Sequence, residues 1–169
     1  MSVSVRPLSF TSKRDIAAFV DVLWTVYDGD PAWIPLPKMV LKEAVDPKHA
    51  PFLRYGQAQL FLVERDGKPI GRISAHINPH HDAYHHEKAG FFGFFDCVDD
   101  AAASAALFEA AESWLRERNV DFIRGPVSFT INEEAGCLVD GFDQPPTVMN
   151  PHSRPHFGSL IEASGYRKE

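Results

Sequence analysis

An apolar segment that runs directly into an amphipathic helix constrains the fold of this chain more than any other feature. Residues 90–95 consist of four phenylalanines and two glycines, and they lead into Asp96, Cys97 and Val98. An apolar run without alternation predicts a strand that is buried on both faces. Asp99 and Asp100 then precede an Ala-rich helix that ends near residue 119. A buried strand followed by a helix N-terminus is typical of α/β proteins and forms an edge where anions bind.

The overall charge limits the classes of partner. The 169 residues carry a net charge of −6 and contain no run of Lys or Arg. Because electrostatic affinity for nucleic acid needs a basic surface, we expect no DNA or RNA partner. The first residues lack the apolar core of a signal peptide, and no stretch is long and apolar enough to span a bilayer. The sequence therefore predicts a cytoplasmic location and no membrane partner.

The order of elements predicts a single α/β domain over residues 1–169. Apolar runs at 57–64 and 69–78 are joined by a turn that contains Asp66 and Gly67, which indicates an antiparallel hairpin. The strand, helix and short strand of residues 90–127 predict a parallel crossover. The result is a mixed, mostly antiparallel sheet with helices on both faces. A last helix ends near Gly165, where a further strand would begin, so we expect a domain whose C-terminal strands are truncated and continue in a missing region of the same protein.

This order and several motifs resemble the GNAT-type acyl-CoA N-acyltransferase superfamily. The segments that carry the resemblance are the hairpin 58–78, the strand and helix 90–119, and residues 160–166. Residues 90–97, 124–126 and 138–143 further resemble an uncharacterised bacterial branch of that superfamily, whose members are longer than this chain. The resemblance implies a GNAT-like fold and the transfer of an acetyl or other acyl group from acyl-CoA to an amine.

The resemblance also implies where a CoA cofactor would bind. Its pyrophosphate would lie on the helix that follows the apolar strand, against Cys97, Val98, Asp99, Asp100, Ala101, Ala102, Ala103 and Ser104. The usual phosphate loop of the superfamily is basic and rich in glycine, whereas this loop contains neither a glycine nor a cation. Each carboxylate about 4 Å from a phosphate charge costs about 1 kcal/mol in water. The sequence leaves open whether CoA binds.

Candidate catalytic and substrate-binding residues follow from their positions. Many superfamily members supply a tyrosine acid from the last helix, but the matching position here is Ile161, and Tyr166 lies after the helix. Asp96, at the end of the apolar strand, is the candidate general base for the amine; the alternative is a strand-end carboxylate bonded to neighbouring backbone. Asn132 and Glu133, followed by Glu134, are candidates for binding the acceptor amine, or else form a capped surface turn.

A histidine-rich segment invites a metal-binding interpretation. It contains His80, His81, His85 and His86, but Pro79 and the polar surroundings favour a loop, which would not fix the geometry of metal ligands. We therefore predict no metal site.

Two functions remain open from the sequence. The first is an N-acyltransferase, most simply an acetyltransferase, that acts on an unidentified small-molecule amine. The alternative is a non-catalytic GNAT-like ligand-binding or structural module of a longer protein.

Overall fold

Five strands form one sheet in chain order, as the computed structural model shows for residues 2–148 and 150–168. The strands are β1 (Val3–Leu8), β2 (Gln57–Arg65), β3 (Lys68–Ile77), β4 (Ala89–Cys97) and β5 (Phe122–Arg124). The first four pair antiparallel, and β5 pairs parallel to β4. This arrangement confirms the predicted mixed, mostly antiparallel sheet.

The helices lie before, between and after these strands. They are α1 (Lys13–Asp21), α2 (Leu23–Val26), α3 (Lys38–Glu43), α4 (Pro79–His85), α5 (Ala101–Arg116) and α6 (Phe157–Ala163), with a 3₁₀ turn at Pro51–Arg54. Only Val22 separates α1 from α2. Within the described residues, no helix is both long and apolar enough to cross a bilayer.

The helix α4 corrects the prediction of a loop at residues 79–88. The side chain of Asn78 accepts hydrogen bonds from the backbone amides of His80 and His81, and Pro79 occupies the first turn. Proline is favoured at this position because the amide that it lacks has no partner within the helix. Pro79 therefore starts a helix here instead of preventing one.

A β-bulge in β4 decides which side chains face which side of the sheet. Ser74 of β3 pairs with Gly93, and Arg72 pairs with Asp96, so two β4 residues lie opposite Ile73 alone. Phe94, within this bulge, has a φ of +47°. Because strand side chains alternate between faces, the extra residue moves Asp96 onto the face that carries Arg72. A regular strand would have turned Asp96 towards α5.

The aromatic contacts confirm that helices pack on both faces. On one face, Phe92 and Phe95 contact Phe108 of α5, with ring centroids 5.1 and 4.9 Å apart. On the other face, Phe94 contacts Phe19 of α1 with a centroid distance of 5.9 Å. The face that carries Arg72 and Asp96 is thus the face covered by α1 and α2.

The chain after β5 stays close to β4 as far as Gly93. The amide of Val127 donates to the carbonyl of Phe92 at 2.8 Å. A Cβ atom on Gly93 would lie 1.9 Å from the carbonyl oxygen of Val127. Gly93 is therefore required by a backbone approach that leaves no room for a side chain.

This close approach generates a test of the fold. We expect Gly93→Ala to destabilise the protein by about 2 kcal/mol or more, because the backbone of β4 or of Val127 must move. Gly158→Ala is the matched control, since its added Cβ meets nothing within 4 Å and lies in helix α6. It should stabilise the protein by about 0.5 kcal/mol. Urea unfolding of the full-length protein measures both, and equal stabilities of the two variants would contradict the close packing of Val127 against β4.

Candidate active site

A buried ion pair at the end of β4 is the centre of the candidate site. The Arg72 Nε donates to Asp96 Oδ2 at 2.7 Å, and both residues are only 7% exposed. The Arg72 Nη1 also donates to the carbonyl of Phe19 at 3.1 Å. A buried charge needs a partner and hydrogen bonds to offset its desolvation, and this arrangement supplies both. The side chain of the predicted base Asp96 is therefore held in a fixed orientation.

Tyr27 of the segment after α2 supplies the second partner of Asp96. Its hydroxyl lies 2.7 Å from Asp96 Oδ1 and 2.9 Å from the carbonyl oxygen of His152. Burial, followed by the charge of Asp96, raises the pKa of Tyr27 well above its ordinary value. The hydroxyl therefore stays protonated and acts as a donor. Both oxygens of Asp96 thus accept a hydrogen bond from another side chain.

Residues 151–156 form one wall beside Asp96. His152 Nε2 lies 3.0 Å from Asp30 Oδ2, and Arg154 Nη1 lies 3.2 Å from the same oxygen. Burial alone would raise the pKa of Asp30, but the hydrogen bonds from His152, the Ala32 amide and Arg154 lower it overall. These contacts fasten the wall to the loop that follows Tyr27.

Asp96 faces a small cleft of about 40 Å³. Its lining also includes Arg72, Ser128, Glu134 and His152. A larger groove of about 380 Å³ lies away from Asp96, between the start of β2 and the end of α5, and its lining contains Arg118 and Trp114 but no carboxylate among the described residues. Because amine chemistry requires a proton acceptor, the smaller cleft is the better candidate site.

Two glutamates of the loop after β5 have perturbed acidity. Burial raises the pKa of Glu133 to about 7, and the neighbouring Glu134 contributes to the rise. Glu134 is an exposed residue of the loop. Partial burial of its carboxyl group, followed by the charge of Asp96, nevertheless raises its pKa, while the charge of Arg72 opposes the rise. Of the two, Glu134 lines the cleft. Asn132 is exposed in the same turn, and its backbone amide donates to Thr130 Oγ1 at 3.3 Å.

The N-terminus of α5, where the resemblance places a pyrophosphate, carries its own carboxylate. Asp100 Oδ1 accepts from the amides of Ala102 at 3.0 Å and Ala103 at 3.1 Å. Arg65, at the end of β2, forms an ion pair with Asp100, and Asp99 is exposed beside it. Amides at a helix N-terminus bind phosphate when they are free, but Asp100 already occupies two of them. In this arrangement Asp100 competes with a pyrophosphate for these amides.

The other residues of the predicted cofactor segment differ in exposure. Ala103 and Ser104 are buried in α5, whereas Ala101 and Ala102 are exposed and Val98 is half-buried. The carbonyl of Cys97 lies 2.9 Å from His156 Nε2. Burial, followed by the charge of Asp100, raises the pKa of the Cys97 thiol to about 12, so that it is not a nucleophile at neutral pH.

The aromatic residue after the last helix lies outside the cleft. The hydroxyl of Tyr166 donates to Glu112 Oε1 at 3.1 Å, and its ring contacts Phe92 and Phe108. Ile161 lines the cleft instead. Tyr166 therefore packs on α5, away from Asp96.

The histidine segment is organised by ion pairs. His81 Nε2 lies 2.7 Å from Glu87 Oε1, which also accepts from Arg124 Nη1 at 2.8 Å. Among residues 2–148 and 150–168, no group of three or more His, Cys, Asp or Glu side chains could hold a metal ion.

Sequence reasoning missed the basic partners of the site. Arg72 is the one charged residue in the run 69–77, but the predicted hairpin pairs this run only with the preceding strand. The register of β3 against β4, which sets Arg72 opposite Asp96, is not contained in the sequence pattern. Arg65 ends the neighbouring strand and reaches Asp100 for the same topological reason.

Comparison with known proteins finds relatives that are longer than this chain. No family model matches it. Protein YghO of Escherichia coli (strain K12) is 38% identical over 160 residues, which are 95% of this chain and 41% of that protein. The bacterial ceramide synthase of Caulobacter vibrioides (strain NA1000 / CB15N) is 41% identical over 140 residues, which are 82% of this chain and 36% of that protein. The chain thus spans about two fifths of the length of these curated relatives.

Solved structures share the fold at low sequence identity. A tandem GNAT protein from the clavulanic acid biosynthesis pathway has a TM-score of 0.61 and 12% identity, and the match covers 97% of this chain and 43% of that one. A predicted acetyltransferase from Clostridium acetobutylicum, solved with acetyl-CoA, has a TM-score of 0.58 and 10% identity. The match covers 99% of this chain and 92% of that one.

The ion pair at the centre of the site can be tested by a double-mutant cycle. We expect Arg72→Met to cost about 3–5 kcal/mol, because it leaves the Asp96 carboxylate buried without its cation. Adding Asp96→Leu should recover much of that loss. The control is Arg6→Met, which removes partly exposed ion pairs with Asp15 and Glu64 and should cost less than about 1 kcal/mol. Urea unfolding gives the four free energies, and a double variant as unstable as the sum of its single variants would contradict the coupling.

Proposed function

We propose that the chain, which shares the fold of GNAT acetyltransferases, forms the amine-binding part of an N-acyltransferase. The observation that carries this proposal is the cleft at the end of β4, where Glu134 with its raised pKa lies beside the ion-paired carboxylate of Asp96. A primary amine is a cation at neutral pH, so binding it requires negative charge and acylating it requires the loss of a proton. The cleft offers negative charge and a carboxyl group that can accept the proton.

The two carboxylates are suited to different tasks. Both oxygens of Asp96 already accept hydrogen bonds, from Arg72 and Tyr27, so Asp96 provides a fixed negative charge that attracts and orients the ammonium group. Among the described residues, no cation forms an ion pair with Glu134, and its raised pKa brings it closer to neutral pH, where a general base works best. We therefore assign to Glu134 the role of the general base that accepts the proton of the amine. The role of Asp96 as the base itself, which its position suggested, is the alternative that the variants below separate.

The curated relative from Caulobacter vibrioides supports a class of acceptor. It is named a ceramide synthase, and a ceramide is a long-chain amino alcohol whose nitrogen carries an acyl chain. We propose that the acceptor is an amphiphilic amine of this kind. The acetyl-CoA in the Clostridium acetobutylicum structure supports a short acyl group, whereas the ceramide synthase supports a long one, so the test includes both.

An acyl-CoA is the donor that the fold implies, and when bound it supplies an electrophilic thioester carbonyl. The α5 N-terminus of this chain does not offer its pyrophosphate the usual site, because Asp100 caps the helix and holds Arg65. This same observation favours a second candidate function, a non-catalytic GNAT-like module within a longer protein.

Amide formation by the full-length protein distinguishes the two functions. The protein is incubated with acetyl-CoA or palmitoyl-CoA and with long-chain and short-chain primary amines, and the amide is measured by mass spectrometry. We expect Glu134→Gln to lower kcat by roughly 100-fold, the usual contribution of a general base. The loss should shrink as the pH rises, because more of the amine is already deprotonated. Asp96→Asn should raise KM more than it lowers kcat.

The control is Glu162→Gln, an exposed residue of α6 that pairs with Lys168, and its rate should match that of the parent protein. If turnover survives unchanged in both Glu134→Gln and Asp96→Asn, this cleft is not the acceptor site. If the parent protein forms no amide from any of these donors and amines, the module function is favoured.

The acids at the α5 N-terminus generate a separate prediction for CoA. Asp100→Ser keeps a capping side chain and, together with Asp99→Asn, removes both negative charges. Two like-charge contacts of about 1 kcal/mol each correspond to a gain in CoA affinity of roughly tenfold or more at low salt. Calorimetric titration of the full-length protein measures it, with Glu117→Gln plus Asp143→Asn as a control of equal net charge. An unchanged affinity would show that Asp99 and Asp100 do not oppose the pyrophosphate.

A further inference from the structure

One surface carries a group of large apolar side chains that no other described residue covers. Ile34 is 64% exposed, Leu36 54% and Met39 68%, with Trp24 and Val40 exposed by 37% and 41% at the edges. These residues belong to α2, to α3 and to the connector between them, and we call them the 24–40 patch. Five exposed large apolar side chains within seventeen residues favour a site of contact with another molecule or a membrane.

The connector between α2 and α3 restricts the conformation of the patch. Pro31, Pro35 and Pro37 restrict the backbone around Ile34 and Leu36, because proline fixes its own φ and biases the preceding residue towards an extended conformation. The apolar side chains therefore have little freedom to fold back onto the protein. A rigid, exposed apolar segment loses little conformational entropy when it enters an apolar phase.

The edge of the patch has the composition of a membrane–water interface. Lys38 Nζ lies 4.3 Å from the centroid of the Trp24 ring and 2.6 Å from Asp21 Oδ1. Trp24 in turn contacts Trp33, with centroids 5.3 Å apart. Tryptophan and lysine combine an apolar body with a polar or charged end, which suits the level of the lipid headgroups.

The two helices that pack together beside the patch, α1 and α3, carry four cationic side chains and three carboxylates. The turn between α2 and the connector adds Asp28 and Asp30, and Asp30 is paired with His152 and Arg154. Two of the helix carboxylates are already paired, Asp15 with Arg6 and Asp21 with Lys38. Lys13, Arg14 and Lys42 therefore add positive charge to this side, which favours anionic lipid headgroups.

Aromatic rings connect the patch to the candidate active site. Trp33 stacks on Tyr27 with centroids 4.8 Å apart and an interplanar angle of 11°. The Tyr27 hydroxyl lies 2.7 Å from Asp96 Oδ1. The exposed surface and the carboxylate of the cleft are thus separated by two stacked rings.

We propose that the 24–40 patch docks onto the surface of an anionic lipid bilayer and thereby presents the Asp96 cleft to an amphiphilic amine. The apolar side chains enter the headgroup region, the cations of α1 and α3 contact anionic headgroups, and the tail of the amine stays in the lipid while its head reaches the cleft. This is surface docking without a spanning helix, and it replaces the expectation of no membrane partner. The identity of the amine rests on the proposed function, but the docking itself does not.

Vesicle flotation of the full-length protein tests the docking independently of catalysis. We expect binding to phosphatidylethanolamine vesicles that contain phosphatidylglycerol, with weaker binding to vesicles without it and at high salt. The variant Ile34→Ser, Leu36→Ser, Met39→Gln should bind roughly tenfold or more weakly, because it removes the apolar side chains that enter the interface. The matched control Ile131→Ser, Val139→Ser, Val148→Ser removes three other exposed apolar side chains and should bind like the parent.

Three results would overturn the docking proposal. The first is a parent protein that does not float with the vesicles, and the second is equal binding of the two triple variants. The third is a patch variant that melts at a lower temperature than the control, which would show that another part of the protein covers the patch.

Turnover separates a failure of the docking from a failure of the proposed function. If both hold, the patch variant loses turnover of a vesicle-embedded amine but keeps turnover of a short, water-soluble one. If no amine is turned over while the parent still floats, the proposed function fails and the docking stands.

Discussion

The ion pair between Arg72 and Asp96 organises the functional half of this molecule. It links two neighbouring strands, fixes the end of β4 and, through Phe19 and Tyr27, ties the sheet to α1 and the segment after α2. The β-bulge at Phe94 is what makes the pair possible, because it turns Asp96 away from α5. The carboxylate of Asp96 lines the cleft and contributes, after burial, to the raised pKa of Glu134.

The N-terminus of α5, at the same end of the sheet, differs in its charged groups from the basic phosphate loop that is usual in this fold. A helix N-terminus that follows a buried strand is a general anion site, but here Asp100 supplies the anion from within the chain and Arg65 neutralises it. The exposed Asp99 adds a second carboxylate beside this helix N-terminus, and the cleft contains the carboxyl groups of Asp96 and Glu134. Such a distribution favours a cationic acceptor over a phosphorylated donor on this surface.

Local sequence pattern predicts most of the fold, whereas the site depends on register. The turn at Asp66 and Gly67 and the apolar runs beside it identify the hairpin, and the Ala-rich segment after Asp100 identifies α5. The bulge at Phe94 is not predictable, because a run of Phe and Gly has no alternation for an extra residue to interrupt. Pro79 suggests a loop from its sequence context, although it begins α4. Arg65 and Arg72 meet their acids only through strand pairing, which no local pattern contains.

The central claim is that the cleft of Asp96 and Glu134 receives the amine. A structure of the full-length protein with a bound long-chain amino alcohol tests it most directly. The account predicts the nitrogen of the ligand within hydrogen-bond distance of the Glu134 carboxyl, with Asp96 still paired to Arg72. A nitrogen bound elsewhere, with the cleft unchanged, would contradict it.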